Sequence, residues 1–146
     1  MKLSTRTRYG TRAAVELASC YHRGVPLSLK DISLKQNIPL KYLAKIMNSL
    51  KTAGLVKTLR GASGGFVLAR APQEISVADI FNYFEGSIVP KECNPSRGER
   101  MCKRYSNCAT AKVWAGLEST VSEYLQKIKI GDLAKDSVEL NKPALF

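Results

Sequence analysis

Histidine and acidic residues are scarce in this chain of 146 residues, and their scarcity excludes several classes of function. The single histidine, His22, lies far in sequence from any paired nucleophile, so no catalytic constellation supports an enzyme. No apolar run is long enough to span a bilayer, and the first residues lack the apolar core of a signal peptide. We therefore expect a cytosolic protein that is not an enzyme and whose cysteines stay reduced.

Acidic residues are missing mainly from the first half. Residues 1–70 hold 13 Lys and Arg against 2 Asp and Glu, whereas residues 71–146 hold 10 of each class. The whole net charge of +11 therefore belongs to residues 1–70. A domain with such one-sided basic charge is typical of nucleic-acid binding.

Three helices are predicted within this basic half. Apolar residues recur at helical spacing from Thr7 to about Tyr21. Ser28 and Asp31 form a capping box that begins a short second helix, which stops at Asn37. A third helix is predicted from about Leu40 to Ala53, with this buried stripe: Leu40, Leu43, Ile46, Met47 and Leu50. Two helices joined by a tight turn, the second with a basic outer face, predict a helix-turn-helix.

A β-hairpin is predicted directly after the third helix. Residues 55–59 and 66–69 have strand character, and the glycine-rich segment 60–65 joins them. A hairpin in this place is the wing of a winged helix, with Arg60 positioned to enter a minor groove. A nucleotide-binding P-loop is excluded, because the terminal Gly-Lys-Ser/Thr is absent.

After Pro72 the excess of basic charge ends and a second pattern begins. Ser76 and Asp79 form another capping box, which begins a short helix that ends near Gly86. A long helix is predicted from about Asn107 to Lys129, with a heptad seam that favours dimerisation: Trp114, Leu117, Val121, Tyr124 and Ile128. Residues 131–146 are predicted to form a short terminal turn and a tail.

Cysteine is concentrated between these two helices. Cys93, Cys102 and Cys108 lie within sixteen polar residues whose glycine, proline, serine and asparagine predict a loop. From Lys91 to Cys108 the local charge is +3, and cationic neighbours favour the thiolate, the form that binds metal. Cys20 instead lies on the first helix, where we expect it to be a small apolar side chain of the core.

Several of these motifs together resemble one family. The chain resembles the iron–sulfur-dependent winged-helix repressors that include IscR, NsrR and RirA. The segments that carry the resemblance are Met1-Lys2-Leu3-Ser4, Arg8-Tyr9, the capped segment 28–32, Lys41-Tyr42-Leu43, Gly54-Leu55-Val56, the wing 60–70 and the three-cysteine loop. The resemblance extends to about Leu133. It implies a mainly α fold with a small β-wing: a winged helix-turn-helix over residues 1–72, a connecting helix and cluster loop over 73–109, and a dimerisation helix over 110–130.

The resemblance also implies a cofactor and a partner. It implies a homodimer on palindromic double-stranded DNA, with a [2Fe–2S] or [4Fe–4S] cluster held by Cys93, Cys102 and Cys108. The positions that read bases correspond to Lys41, Ala44 and Lys45, and the wing arginine corresponds to Arg60. The full set of residues expected to contact DNA is Ser28, Lys41, Tyr42, Lys45, Arg60, Gly61, Ser63 and Gly64.

The chain departs from the family pattern at the fourth cluster ligand. Ala111 stands where some members have a histidine, and Arg8, with Arg12 one turn later, occupies the region where others have an acidic residue. Arginine stays protonated and does not ligate iron. Glu16 continues the helical line of Arg8 and Arg12 and is the remaining acidic candidate.

Three functions remain open from the sequence alone. The first is a repressor that senses iron–sulfur, redox or nitric oxide status. The second is a winged-helix regulator that holds zinc or no metal. The third is a small electron carrier whose basic half docks an acidic partner. Operator binding separates the first two from the third, and an iron–sulfur absorption spectrum separates the first from the second.

Overall fold

The computed structural model of the chain describes residues 3–61, 64–93 and 102–140. Within these ranges the chain forms six α-helices and one two-stranded antiparallel sheet. Their bounds are α1 Thr5–Ser19, α2 Leu29–Gln36, α3 Leu40–Thr52, β1 Val56–Leu59, β2 Gly65–Leu68, α4 Val77–Phe84, α5 Ala111–Lys127 and α6 Ile130–Leu140. The predicted fold class, mainly α with a small β-wing, is confirmed.

Local sequence signals determine where α2 and α3 begin and end. Ser28 and Asp31 form the predicted capping box at the start of α2, and Asn37 ends that helix with a φ of 48°. Asparagine tolerates this left-handed conformation better than most residues do. Pro39 immediately precedes the first residue of α3, so the turn between the helices is short. These contacts confirm the predicted helix-turn-helix.

The wing is attached to the chain segment that precedes α2. Val56 pairs with Leu68 and Leu59 pairs with Gly65 in the antiparallel register. Leu27 and Phe66 exchange two backbone hydrogen bonds of 3.0 and 2.8 Å. A Cβ at Gly65 would lie 2.5 Å from the Leu27 carbonyl oxygen, so this close approach requires glycine. The hairpin is therefore joined to the helix-turn-helix through backbone atoms.

One apolar core connects all the layers. Large fully buried residues of this core include members from α2, α3, the segment before α4, α4 itself and the start of α6: Ile32, Leu43, Met47, Leu50, Ile75, Ile80 and Ile130. Leu40 was predicted to belong to this core, but its side chain is 47% exposed. It is the first residue of α3, and the buried residues of that helix begin at Leu43.

The predictions for the end of the chain need two corrections. The long helix spans Ala111–Lys127 instead of residues 107–129. It ends because the next residues enter a short β-bridge, in which the Val77 N–H donates to the Ile128 carbonyl and the Ile130 N–H donates to the Ile75 carbonyl.

The short terminal turn predicted from residue 131 is wrong, because residues 130–140 form α6, which packs along α1. Gly131 suggested a turn. It is instead a buried residue of α6, at which a Cβ would lie 2.5 Å from the end of the Gln73 side chain. No described helix is long and apolar enough to cross a membrane.

Candidate functional site

The outer face of α3 is the centre of the first candidate surface. Leu43, Ile46, Met47 and Leu50 turn into the core, and the helix thereby leaves its opposite face in solvent. The residues on that exposed face are Lys41, Ala44, Lys45, Asn48 and Thr52. The predicted placement of Lys41 and Lys45 on the outer face is confirmed, and the contact of each with DNA stays a prediction.

Two further residues of the expected DNA-contact set have structural partners. The Ser28 hydroxyl donates to Asp31 Oδ2 at 2.6 Å and accepts the Asp31 N–H at 3.1 Å, so it caps α2. The hydrogen bonds from Ser28 lower the pKa of the Asp31 carboxyl. Tyr42 is half-buried and packs edge-on against Tyr9 at a ring separation of 5.9 Å. Tyr42 therefore joins the start of α3 to α1.

The wing tip presents Arg60 to solvent. Arg60 follows β1 directly and is exposed. Gly61 has a φ of 120°, and the Gly64 N–H donates to the Gly61 carbonyl at 3.0 Å. A Cβ at Gly64 would lie 2.5 Å from the Leu59 carbonyl oxygen, so only glycine fits this tight turn. Ser63 lies outside the described residues.

A cleft of about 430 Å³ separates α3 from the wing. Lys45, Asn48 and Lys51 line it from α3, and Thr58 and Phe66 line it from the sheet. The sequence pattern placed Asn48 on the outer face of the helix but did not identify Lys51 and Thr58 as members of this surface. The three-residue steps from Lys45 to Asn48 and Lys51 are the signal that identifies the α3 members. Whether Thr58 faces the cleft depends on the register of the hairpin, which no single residue reveals.

The cysteine loop is the second candidate site. Backbone hydrogen bonds follow one another along it: the Cys102 N–H donates to the Glu92 carbonyl at 3.2 Å, the Tyr105 N–H to the Cys102 carbonyl at 2.9 Å, and the Cys108 N–H to the Tyr105 carbonyl at 3.3 Å. The described residues of the predicted loop form 3₁₀ turns over residues 91–93 and 105–107. These bonds bring the main chain of Cys102 beside that of Cys93.

The loop is also attached to α5. The Ile88 N–H donates to Glu118 Oε2 at 3.0 Å, and the Ala111 N–H donates to the Cys108 carbonyl at 3.2 Å. The first bond fixes the chain before the loop, and the second joins Cys108 to the first turn of the helix. Hydrogen bonds therefore connect both ends of the cysteine loop to α5.

The three loop thiols differ in their surroundings. Cys102 is exposed, whereas Cys93 and Cys108 are half-buried. Cys108 Sγ lies 3.2 Å from the Thr110 hydroxyl, and this hydrogen bond lowers the pKa of the Cys108 thiol, with a smaller contribution from Arg104. Sequence reasoning missed Thr110, because a hydroxyl two residues from a cysteine has no distinctive pattern. Cys20 packs against the core, as predicted.

Three thiols in one loop have the donor chemistry that an iron–sulfur cluster needs. In the described part of the chain, however, no three side chains of the types His, Cys, Asp and Glu converge as a metal site. The three cysteines therefore have the chemistry that an iron–sulfur cluster requires, but their thiols are not assembled around a common centre.

The structure supplies no fourth ligand from the candidate positions. Ala111 is buried and offers only a methyl group. Glu16 accepts hydrogen bonds from Lys35 at 2.9 Å and from the Gln36 side chain at 2.7 Å, so both its oxygens are engaged on α2. Arg12 donates to the Gln36 carbonyl and, at 3.1 Å, to Gln36 Oε1. Arg8 is exposed and lies over the Tyr9 ring.

The residues expected to mediate dimerisation divide into two groups. Trp114, Leu117 and Tyr124 are 41%, 41% and 64% exposed, which is unusual for large apolar side chains. Val121 and Ile128 are half-buried against their own chain. The exposed edge of α5 includes Val113, which the heptad assignment omitted and which is 59% exposed.

Comparison with known proteins identifies relatives along almost the whole chain. Residues 3–136 match the Rrf2 family model, described as "Iron-dependent Transcriptional regulator". The chain is 34% identical over 137 residues to protein rrf2 of Nitratidesulfovibrio vulgaris, covering 94% of this chain and 89% of the relative. It is 38% identical over 134 residues to the HTH-type transcriptional regulator CymR of Bacillus subtilis, covering 92% and 90%.

Solved structures show the same similarity. The T. potens IscR structure matches with a TM-score of 0.77 and 32% identity, over 99% of this chain and 94% of that chain. The structure of CymR, titled the global cysteine regulator of B. subtilis, matches with a TM-score of 0.74 and 34% identity, over 92% and 97%.

Proposed function

The chain belongs to the Rrf2 family of transcriptional regulators, and from this premise we propose that its three-cysteine loop controls how a homodimer binds palindromic DNA. The family is one of DNA-binding regulators and not of enzymes. Within it, we propose that Cys93, Cys102 and Cys108 hold an iron–sulfur cluster and that the protein is a cytoplasmic repressor. The observation that carries the proposal is one hydrogen-bonded loop, attached to α5, that holds the exposed thiol of Cys102 and the half-buried thiols of Cys93 and Cys108.

Two surfaces support the DNA-binding part of this proposal. The exposed lysines of α3 are suited to guanine edges or phosphates, and Arg60 is suited to the minor groove. The wing is fastened to the segment before α2, so α3 and Arg60 keep a fixed separation. A rigid pair of this kind contacts two adjacent grooves with little additional loss of conformational entropy.

An iron–sulfur cluster, when bound, supplies a centre that responds to oxidants and small ligands. The chain's own residues present the thiolates and connect the shape of the loop to α5. Thr110 lowers the pKa of Cys108 and thereby favours the thiolate. Glu118 and the Cys108 carbonyl connect the loop to the first half of α5. The exposed apolar edge of α5 is the proposed dimer seam. A change in the loop therefore alters how the two copies pair, and with it the spacing of their two recognition helices.

Anaerobic purification followed by visible absorption, iron and sulfide analysis tests the cluster. We expect a coloured protein whose colour is lost in Cys102→Ala and retained in the matched control Cys20→Ala. Operator affinity is measured on the same samples by fluorescence anisotropy. Cys102→Ala should change it by about 5- to 150-fold, the usual range of coupling between two sites. Colourless, iron-free wild-type protein would contradict the cluster.

A second candidate is a metal-free thiol regulator, or one that holds zinc. Its metal-free form is favoured by the absence of a converged metal site in the described residues and by the lack of a fourth ligand at the candidate positions. One solved relative, 30% identical with a TM-score of 0.70, is titled CymR of Staphylococcus aureus in an oxidized form. This candidate predicts colourless protein whose operator affinity still changes when the thiols are oxidised, and metal analysis separates zinc from no metal.

A further inference from the structure

A cavity of about 220 Å³ lies between the C-terminal end of α1 and the wing. Its lining includes residues from the end of α1, from the turn that follows it and from both strands: Leu17, Cys20, Val25, Lys57, Leu59 and Val67. Among the described residues, none of those expected to contact DNA or to hold a cluster lines this cavity. It is therefore separate from both candidate sites.

The register of the hairpin places this cavity on the face of the sheet opposite the cleft beside α3. Thr58 and Phe66 pair across the hairpin and line that cleft, whereas the neighbouring pair, Lys57 and Val67, lines the cavity. Successive side chains of a strand point to opposite faces, which accounts for the division. Leu59, which also lines the cavity, directly precedes Arg60 at the wing tip. One wall of the cavity is thus part of the wing itself.

The chain covers the apolar lining of the cavity only in part. Leu17 is buried, but Tyr21, Val25 and Leu59 are 37%, 53% and 43% exposed. A ligand that fills the cavity removes some of this apolar surface from water, which is favourable. An engineered cavity of about 150 Å³ in another protein binds benzene. The present cavity therefore has room for an apolar body of that size with one polar group attached.

Lys57 brings a positive charge to the cavity, and the described chain offers no negative charge to match it. Lys57 forms no ion pair within residues 3–61, 64–93 and 102–140. Residues 1–70 contain two acidic residues, and both have partners elsewhere: Glu16 accepts hydrogen bonds from two side chains of α2, and Asp31 accepts one from Ser28. An anionic group on a ligand would supply the missing charge, and a carboxylate is a strong acceptor for an ammonium group.

We propose that this cavity binds a small monocarboxylic acid whose apolar body is about the size of a benzene ring, and that this ligand is an effector of DNA binding. Its carboxylate pairs with Lys57, and its apolar body packs against Leu17 and Val67. The site needs neither the cluster nor the homodimer, so it goes beyond the function proposed above.

The position of the cavity connects the ligand to the wing. A molecule bound there contacts the end of α1 on one side and the two strands on the other, so it favours one placement of the wing relative to α1. The wing carries Arg60. Ligand and operator must then change each other's affinity by the same factor.

Isothermal titration calorimetry of the full-length protein without DNA tests the site. The probes are benzoate, hexanoate and the uncharged benzamide. We expect both carboxylates to bind with dissociation constants in the millimolar range or tighter, and benzamide to bind several-fold more weakly. Benzoate should also slow the alkylation of Cys20 by iodoacetamide several-fold, because that thiol lines the cavity. The alkylation of Cys102, followed in the same samples by peptide mass spectrometry, should not change.

Two cavity variants and one control complete the experiment. Lys57→Gln should weaken binding of both carboxylates about tenfold, the usual effect of losing one hydrogen bond to a charged group, and leave binding of benzamide unchanged. Ala69→Leu fills the cavity and should abolish binding of all three probes. Lys57 is exposed, so its variant keeps the test valid if Ala69→Leu does not fold by circular dichroism. Lys30→Gln removes another exposed lysine of the basic half and should change nothing.

Fluorescence anisotropy at constant ionic strength tests the effector role. Saturating benzoate should change the operator affinity of the wild type several-fold and leave that of Ala69→Leu unchanged. Failure of both carboxylates to bind overturns the site, and so does binding of benzamide as tight as that of benzoate, or an equal effect of Lys57→Gln and Lys30→Gln. Binding without a change in operator affinity overturns the effector role. Because calorimetry needs no DNA, protein that binds the carboxylates but no operator would contradict the proposed function and leave the site standing.

Discussion

At the scale of single residues, Arg60 is the side chain on which the wing assignment depends most directly. It is exposed beside a tight glycine turn, and it was identified from sequence because an arginine precedes a glycine-rich segment between two strands. Arg60→Ala should weaken operator binding by about 1–3 kcal/mol, because the variant cannot reach into the groove. Anisotropy titrations measure this weakening. Lys135→Ala, which removes a positive charge on α6, is the control and should have little effect.

Glu85 gives the protein a pH-dependent contact between α4 and α1. Burial raises the pKa of its carboxyl, but hydrogen bonds from Ser4 and Thr7 outweigh burial, and the net pKa is below the ordinary value. A lowered pKa in the folded state means that the stabilisation is complete above the unfolded pKa of about 4.3 and is lost as pH falls through the folded value.

The corresponding prediction concerns the free energy of unfolding in urea. It should decrease as the pH is lowered from about 5 to 3, because protonation of Glu85 weakens its bonds to the start of α1. Glu85→Gln should be less stable than wild type at pH 7 and should show a smaller decrease over the same range. Parallel pH profiles for the two proteins would show that Glu85 does not contribute.

At the scale of helices, the two capping boxes allow stability and DNA contact to be separated. Ser28 caps α2 beside the expected DNA surface, and Ser76 caps α4 away from it. Replacement of a capping serine by alanine typically costs about 1 kcal/mol. Ser28→Ala and Ser76→Ala should both lower the free energy of unfolding.

Operator affinity, measured where both variants are folded, then assigns the role of Ser28. We expect Ser28→Ala to lower the affinity, because α2 positions α3, and Ser76→Ala to leave it unchanged. If the two variants bind equally well, the Ser28 hydroxyl has neither a direct nor a positioning role in DNA binding.

The capping boxes also show which elements a sequence can predict. Ser28, Asn37 and Ser76 act on their own neighbours in the chain, so their effects on α2 and α4 could be inferred without tertiary structure. The helix formed by residues 130–140 could not be inferred in this way, because α6 depends on packing along α1 and on the approach of Gly131 to Gln73. The end of α5 likewise depends on a bridge to residues 75–77, which are distant in sequence.

The same distinction applies to the candidate sites. Cys93, Cys102 and Cys108 could be selected from their spacing and local charge. The Glu118 contact with Ile88 joins residues thirty positions apart and has no local signature. The heptad reading of α5 found Trp114, Leu117 and Tyr124 but not Val113, because the width of the exposed edge depends on how much of the helix its own chain covers.

At the scale of the whole molecule, the uneven charge predicts a steep dependence of DNA affinity on salt. All of the net charge of +11 lies in residues 1–70, so phosphate neutralisation should dominate binding. The slope of log K against log salt changes by about 0.9 for each phosphate that the protein neutralises. Lys41→Gln should therefore reduce the slope by about 2 if each copy in a dimer neutralises one phosphate fewer.

Titrations of wild type and Lys41→Gln across a range of salt concentrations measure this change. Lys135→Gln is the matched control, since it removes one lysine per copy from the neutral half of the chain. A reduction of only about 1 would indicate that a single copy contacts the DNA. An unchanged slope would remove Lys41 from the set of residues that neutralise phosphates.

The packing of α6 on α1 has a consequence for how the chain matures on the ribosome. Ile130 and Ala134 fill a core that is otherwise built mostly by the first eighty residues. During synthesis, the basic half emerges first but lacks these two side chains until residues 130–134 have been translated. A nascent chain stalled before residue 130 would therefore display an open apolar seam along α1, a natural binding site for chaperones.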